Sequence, residues 1–355
     1  MNPTLPHRIA FPQRGLSLIE LMISITLGML VVAALLALYI NITRTNNEMA
    51  KANRQIENGR FAIQLLQSDL LHAGFWGPLG YTMPPAPAIP VPTAIPDPCD
   101  VAVASWTSGK KNNLLAIPVQ GFANGSTLAA CGINAANVLP ASDVLVVSHA
   151  NTCVAGSAGC DGGTDSGPHI QVSRCQAGSP PPEAAFEIAL KGAASLNLKE
   201  KDCTTVAPLR KIVANIYYLG TFKGQPTLYR TSLVDGTYGP PSPQPLIEGI
   251  EAFRVEYGID SLGRNGLPIS ATNPGDGSAD EYVSCAPCTL EQLANVVAVK
   301  VHVLARNLEP TPGYTDSKSY KLGTTEIDAA NDGYKRHVFS STVRLVNVSA
   351  RREAP

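Results

Sequence analysis

From Leu16 to Ile42 the chain is apolar over 27 positions, with Glu20 as the single charge. As a helix that run measures about 40 Å, longer than a bilayer's hydrocarbon core of roughly 30 Å. A carboxylate inside such a helix costs about 2.5–3.5 kcal/mol on insertion scales, so a plain anchor has no use for it. Beyond Ile42 the polarity changes while the helical signal continues. No proline interrupts 41–73, and Ile56, Ile63, Leu66 and Leu70 fall on one stripe with Phe61 and Leu65 beside it. Arg54, Glu57, Gln64, Gln67 and Asp69 supply the polar side. Gly74 is the expected C-terminal cap, and Pro78 cannot continue the helix. The pattern predicts one helix over 16–73, roughly 87 Å long, apolar all round in its first half and amphipathic in its second.

The pattern then switches to short alternating runs. Residues 81–100 are proline-dense and read as an extended connector. Asp143 to Ser148 reads as a buried strand, and 150–179, rich in Gly, Ser and Cys, as a disulfide-tied loop region. Strands resume at 212–219 and 227–231, with the turn at Phe222-Lys223-Gly224-Gln225-Pro226. Ile250 to Ile259 places Phe253, Val255 and Tyr257 on one face and Arg254 and Glu256 on the other. Val297, Val299, Val301 and Val303 alternate inward along the next strand, and 338–348 closes the series. Successive strands joined by turns imply an antiparallel sheet, so the fold class is α+β. The organisation predicted is a leader (1–15), a transmembrane half-helix (16–42), an amphipathic half (43–74) and a globular head (75–355). Within the head lie the connector (81–100), a loop-rich insert (101–206) and the sheet (207–350).

Composition sharpens this in two respects. A net charge of −1 over 355 residues gives no electrostatic case for nucleic acid as a partner. The eight cysteines are an even count, which in an exported head implies disulfides in an oxidising compartment. Cys285–Cys288 and Cys153–Cys160 are the close pairs.

The start of the apolar run carries the most specific signal. Arg14-Gly15-Leu16-Ser17-Leu18-Ile19-Glu20 joins a short basic leader ending in glycine to an apolar helix. A secretory signal peptide places its cleavage site after the apolar run, not before it. The arrangement resembles the class III signal of type IV pilins and pseudopilins. The resemblance implies cleavage between Gly15 and Leu16 by a prepilin peptidase, and methylation of the new N-terminus. It also implies that Glu20 is the carboxylate pairing with a neighbouring subunit's amine during assembly. Leu16 departs from the phenylalanine usual at that position. Arg8 and Arg14 on the N-terminal side place the N-terminus in the cytoplasm.

A second resemblance is narrower. The runs 246–260, 297–306 and 339–345, with Asn58-Gly59-Arg60-Phe61 and Ala73-Gly74-Phe75, look like PilW-type minor pilins. Residues 81–206 match no pattern of that family. The type implies a minor pilin in type IV pilus assembly, placed with other minor pilins in a tip or initiation complex. The partners implied are those minor pilins, the major pilin, the peptidase, the inner membrane and a large tip adhesin. The head is then periplasmic until assembly carries it to the pilus.

Other chemistry is thin. Cys285-Ala286-Pro287-Cys288 lacks the βαβ context of a redox dithiol and reads as a structural disulfide, with Thr289 and Gln292 as a capping box behind it. Asp260, Asn265, Asp276, Asp280 and Glu281 form an oxygen-rich, glycine-containing stretch. It raises calcium as a cofactor, although Arg264 sits among the acids and a solvated hairpin is the more ordinary reading. No Gly-x-Ser-x-Gly, His-Glu-x-x-His or Walker loop is present, and the reading is a non-enzyme without cofactor. The alternatives are a minor pseudopilin of a type II secretion system, a membrane-anchored periplasmic enzyme, and a calcium-dependent binding module.

Overall fold

The computed structural model describes residue 15 and residues 17–353, apart from 81–88, 123–124, 134–137, 141, 161–165, 176–182, 235, 239–242, 271 and 285–287. The chain divides into two units, residues 1–51 and 52–355. The helix α1, Leu18–His72, is continuous and contributes to both.

In the first unit α1 is the described element, and its side chains from Ser17 to Asn47 are exposed. Its few polar groups turn inward on the helix. Ser24 Oγ donates to Glu20 O at 2.7 Å, and Thr26 Oγ1 donates to Met22 O at 3.0 Å. Such back-bonding hides hydroxyls from an apolar surrounding.

The second unit holds the rest of α1, a helix α2 (Ser108–Ala116) and two antiparallel sheets. The larger sheet contains β1 (Val119–Phe122), β2 (Val144–Ala150), β3 (Pro168–Val172), β4 (Phe186–Leu190), β5 (Leu209–Phe222), β6 (Gln225–Ser232) and β7 (Gln244–Glu248). Its order is β1-β2-β5-β3-β4, with β6 also on β5 and β7 on β6. The smaller sheet has the order β13-β10-β8-β9, from β8 (Ile250–Ile259), β9 (Glu281–Val283), β10 (Val296–Arg306) and β13 (Arg336–Arg344). A helix α3 (Leu290–Ala294) precedes β10, a ribbon of β11 (Tyr320–Leu322) and β12 (Thr325–Ile327) precedes β13, and a helix α4 (Val346–Glu353) follows it.

One core joins these layers. Ala62, Leu66 and Leu70 of α1 pack with Leu145, Val147, Tyr217 and Leu219 of the larger sheet and with Phe253, Val299, Val301 and Val303 of the smaller one. The alternating valines make β10 buried on its core face as the pattern predicts. The β5–β6 turn is tight because Lys223 and Gly224 both have positive φ, 49° and 78°, which matches the twist of the paired strands. Gly249 (φ 82°) carries the chain from β7 in one sheet to β8 in the other. Its N–H donates to Pro226 O at 2.7 Å and its carbonyl accepts from Arg306 N at 2.8 Å, so one residue bonds to both sheets.

The structure differs from the sequence expectation in four places. The buried stripe of α1 is Gln55, Gly59, Ala62, Leu66 and Leu70, while Ile56 is exposed. Close approach decides this: a Cβ at Gly59 would collide with the Phe339 ring, and Gln55 is satisfied by the carbonyls of Ala305 (2.8 Å) and Lys335 (3.0 Å). The segment 101–206, expected as a loop-rich insert outside the sheet at 207–350, supplies four of the larger sheet's strands. Of these, β2 is the strand expected at 143–148, while β1, β3 and β4 are short and separated by long polar stretches, which conceals them. The single expected sheet is two, parted at Gly249. The last strand, expected to reach 348, ends at Arg344, because Val348 and Ser349 turn inward on a helix.

That final helix closes the end of α1. Asn347 Nδ2 donates to Leu71 O (3.1 Å) and Ala73 O (3.3 Å), and Arg351 Nη1 donates to Gly74 O at 2.9 Å. Gly74 itself has φ 72°, the left-handed cap that the sequence predicts.

Candidate functional site: the N-terminal assembly segment

The segment is built on the first turn of α1. Gly15 is exposed, with no heavy atom within 4 Å of where a Cβ would stand. Leu16 and the leader residues 1–14 lie outside the described residues. Ser17 caps the helix: its Oγ accepts from Ile19 N at 3.3 Å, and its own N–H donates to Glu20 Oε2 at 2.9 Å. Glu20 therefore sits three residues inside the cap and bends back over it, as in a capping box. The negative charge also meets the positive end of the helix dipole. Sequence reasoning marks Glu20 for a partner in another chain; in the single chain it occupies itself with its own helix end.

From Leu18 to Ile42 the rest of the segment carries no charge. It includes a stretch of mean hydropathy 2.6, enough by length and composition to cross a membrane. Leu18, Met22, Leu30, Tyr39 and their neighbours are all exposed. An apolar surface of this extent on a monomer marks a face that something else covers.

The second half of α1 is held to its own sheets by polar side chains. Asn58 Nδ2 donates to Glu248 O at 3.0 Å and Gln67 Nε2 to Ser341 Oγ at 2.6 Å. Asp69 accepts from His149 Nε2 (3.0 Å) and from Asn215 Nδ2 (3.0 Å). Gln67 and Asp69 look solvent-facing in the sequence. Nothing in the pattern signals their role, because a polar residue at the edge of a buried stripe reads the same whether it meets water or a neighbouring strand.

The cysteines expected to pair locally divide between described and undescribed residues. Cys153 and Cys160 form a disulfide, and Cys99–Cys131 and Cys175–Cys203 are two further bridges that spacing alone does not reveal. Cys288 is disulfide-bonded, while Cys285 lies outside the described residues. Thr289 and Gln292 form the expected capping box on α3.

The acidic stretch is largely spent on its own backbone. Asp260 is fully buried, meets Arg352 Nη1 at 3.1 Å and accepts from Gly277 N at 3.0 Å. Asp280 accepts from Ser261 N (2.8 Å) and Leu262 N (2.7 Å), and Asn265 Oδ1 accepts from Leu267 N at 2.9 Å. Asp276 caps Ser278 N at 2.9 Å, and Glu281 begins β9. Among the described residues no three His, Cys, Asp or Glu side chains converge as metal ligands. His302 is packed between Ser340 Oγ (2.7 Å) and Glu256 Oε2 (3.2 Å).

Comparison with known proteins bears on both ends of the chain. Residues 11–36 match the prokaryotic N-terminal methylation motif, and residues 216–347 match the type IV pilus-assembly protein W family. The chain is similar to that family over this C-terminal part. Its matched region runs from within β5 to the start of α4 and so contains the whole smaller sheet, while β1–β4 lie outside it. A type IV-like pilin from Thermus thermophilus aligns at 20% identity over 39% of this chain and 66% of its own length, with a TM-score of 0.21. No curated protein matches the chain. The methylation motif and the apolar helix together mark a membrane-anchoring N-terminus.

Proposed function

We propose that this chain is a minor pilin that takes part in type IV pilus assembly, in a tip or initiation complex with other minor pilins. The observation that carries the reading is the exposed apolar run of α1 with one carboxylate, Glu20, in its first turn. The PilW-type match supports the pilus over a secretion pseudopilus. On this reading a prepilin peptidase cuts between Gly15 and Leu16, and the Leu16 amine is methylated. The basic leader stays in the cytoplasm and the head is delivered to the periplasm. The major pilin, other minor pilins and a large tip adhesin are the partners.

Glu20 then has two partners to choose between. Its present one is the neutral amide of Ser17. A neighbour's N-terminal ammonium, packed among apolar helices, would be a stronger one, because either charge left alone in that surrounding is costly. Glu20→Val should therefore leave insertion and peptidase cleavage intact and remove the chain from sheared pili. N-terminal mass spectrometry of the same cells should find a methylated Leu16. Normal recovery of the variant in pili removes the assembly role of Glu20, and a mature chain beginning at Met1 removes the pilin reading altogether.

A further inference from the structure

The smaller sheet ends on β13, and the outer edge of that strand is open. β13 pairs with β10 over nine residues without a register shift. Among the described residues no second strand pairs with it, and no other group bonds to the outward main-chain N–H and C=O groups of 337–343. We propose that this edge takes up an extended segment of another protein as an added strand, one that alternates apolar and polar side chains and carries a carboxylate for Arg60 of α1. The proposal is independent of the pilus reading.

The other sheet edges are blunted and β13 is not. β7 carries Pro245 and a register irregularity against β6, β9 has three residues, β1 four and β4 five. Proline, irregularity and brevity are the usual means by which edge strands avoid pairing with other chains. β13 has neither proline nor glycine and keeps an even register throughout. Among polypeptide conformations only another strand repeats donors and acceptors at the spacing such an edge offers.

The helix beside the edge gives a second observation. α1 runs along β13 on one face of the sheet: Gly59 lies against the Phe339 ring, and Gln67 donates to Ser341. At 3.6 residues per turn Ile56, Arg60 and Leu71 share the flank of Gln67, away from Asn58 and Asp69, which bond the larger sheet. Ile56 is 38% and Leu71 47% exposed, although both border the core stripe. An added strand stands about 4.8 Å beyond β13, and its side chains on the α1 face cover these two. Arg60 lies between them, exposed and with no ion pair to a described residue, and selects a carboxylate on the incoming strand. On the opposite face Ser340 and Thr342 are exposed and match polar side chains. A second copy fits worse, because full antiparallel pairing of two β13 strands sets Arg336 opposite Arg344 at both ends.

The test uses the full chain in detergent micelles. The probe is a fluorescent synthetic peptide of alternating valine and threonine with a central glutamate, read by anisotropy. The wild type should bind it saturably, and bind the lysine-centred peptide about threefold or more weakly, the scale of an exposed ion pair. Hydrogen exchange along β13 should slow on binding. Arg60→Glu, at an exposed position that threatens no packing, should reverse the order of the two peptides. The fully N-methylated glutamate peptide, which has no main-chain donors, should not bind. Equal binding of the N-methylated peptide, equal binding of the two charged peptides by the wild type, or unchanged exchange along β13 overturns the proposal. If the chain instead pairs with itself and the peptide does not displace the second copy, the occupant is that copy and the proposal falls.

Discussion

Between residues 99 and 203 the chain is pinned by covalent bonds: Cys99–Cys131, Cys153–Cys160 and Cys175–Cys203 all lie there. Between 250 and 344, where Cys288 is also disulfide-bonded, it is pinned chiefly by packing and charge. The first segment has strands of four to seven residues and two small apolar clusters, around Trp76 and around Val146. The second has strands of ten, eleven and nine residues over the main core. Its irregular stretch, 307–335, is closed by Arg336. That side chain is 2% exposed and reaches Asp332 Oδ1 at 2.7 Å, Asp316 Oδ2 at 3.1 Å and Glu251 Oε1 at 3.0 Å. Burial alone would lower the Arg336 pKa, but the carboxylates of Asp332 and Glu251 outweigh it and raise it. Where the sequence lacks apolar area, cross-links limit the unfolded chain instead; where area is plentiful, a buried ionic cluster suffices to fasten the loop.

Reduction is the strongest way to break this contrast. Loop-closure entropy assigns about 3–4 kcal/mol to each of the two longer bridges and about 2 kcal/mol to the seven-residue one. After reduction, hydrogen exchange should rise across 99–203 and stay slow across β8, β10 and β13. Simultaneous loss in both segments would show that one cooperative unit, not two chemistries, holds the head.

Arg336→Met should act on the other side, costing about 3–5 kcal/mol, because fully buried Asp316 keeps its charge and loses its cation. Exchange should rise over 307–335 and not over β1–β4. Asp316 is pushed up by burial but pulled down further by Tyr320, Arg336 and Tyr314, and Asp332 is lowered chiefly by its bond to Arg336. Both therefore end below the ordinary value of 3.8. Lowered acid groups stabilise the fold above that value, and the contribution is lost as pH falls through the lowered ones. The acid limb of the wild type's stability profile should flatten in the variant.

Gly121→Ala probes where the two segments touch. Gly121 on β1 lies against the Tyr257 hydroxyl of β8, so a methyl group there must displace a buried ring. The expected cost is about 1–3 kcal/mol by thermal melting, with exchange rising in both segments. A neutral result would mean that the sheets separate more freely than their shared core suggests.

The apolar run, the cap at Gly74, the β5–β6 turn and the valine face of β10 are legible in the sequence because each rests on local periodicity or on one residue's dihedral freedom. Within 101–206 the buried run of β2 is legible too, whereas β1, β3 and β4 are not, since they are too short to establish a period and their partners are distant. The choice of Gln55 and Gly59 over Ile56 on α1 depends on Phe339 and on two strand carbonyls, none of which the helix's own pattern contains. The assembly segment stands out from composition alone, whereas its capping contact at Glu20 emerges only with coordinates. The bonding of Asp69 to His149 and Asn215 is the least legible feature, because the three come from three elements.

The junction of α4 with the end of α1 sets an order of events. Arg351 and the Gly74 carbonyl it completes are 277 residues apart. A chain released amino end first must expose the last turn of α1 long before Asn347 and Arg351 arrive to finish it. The last turn of α1 is therefore among the last parts to be made fast, and a chain cut before Val346 leaves it frayed at the join.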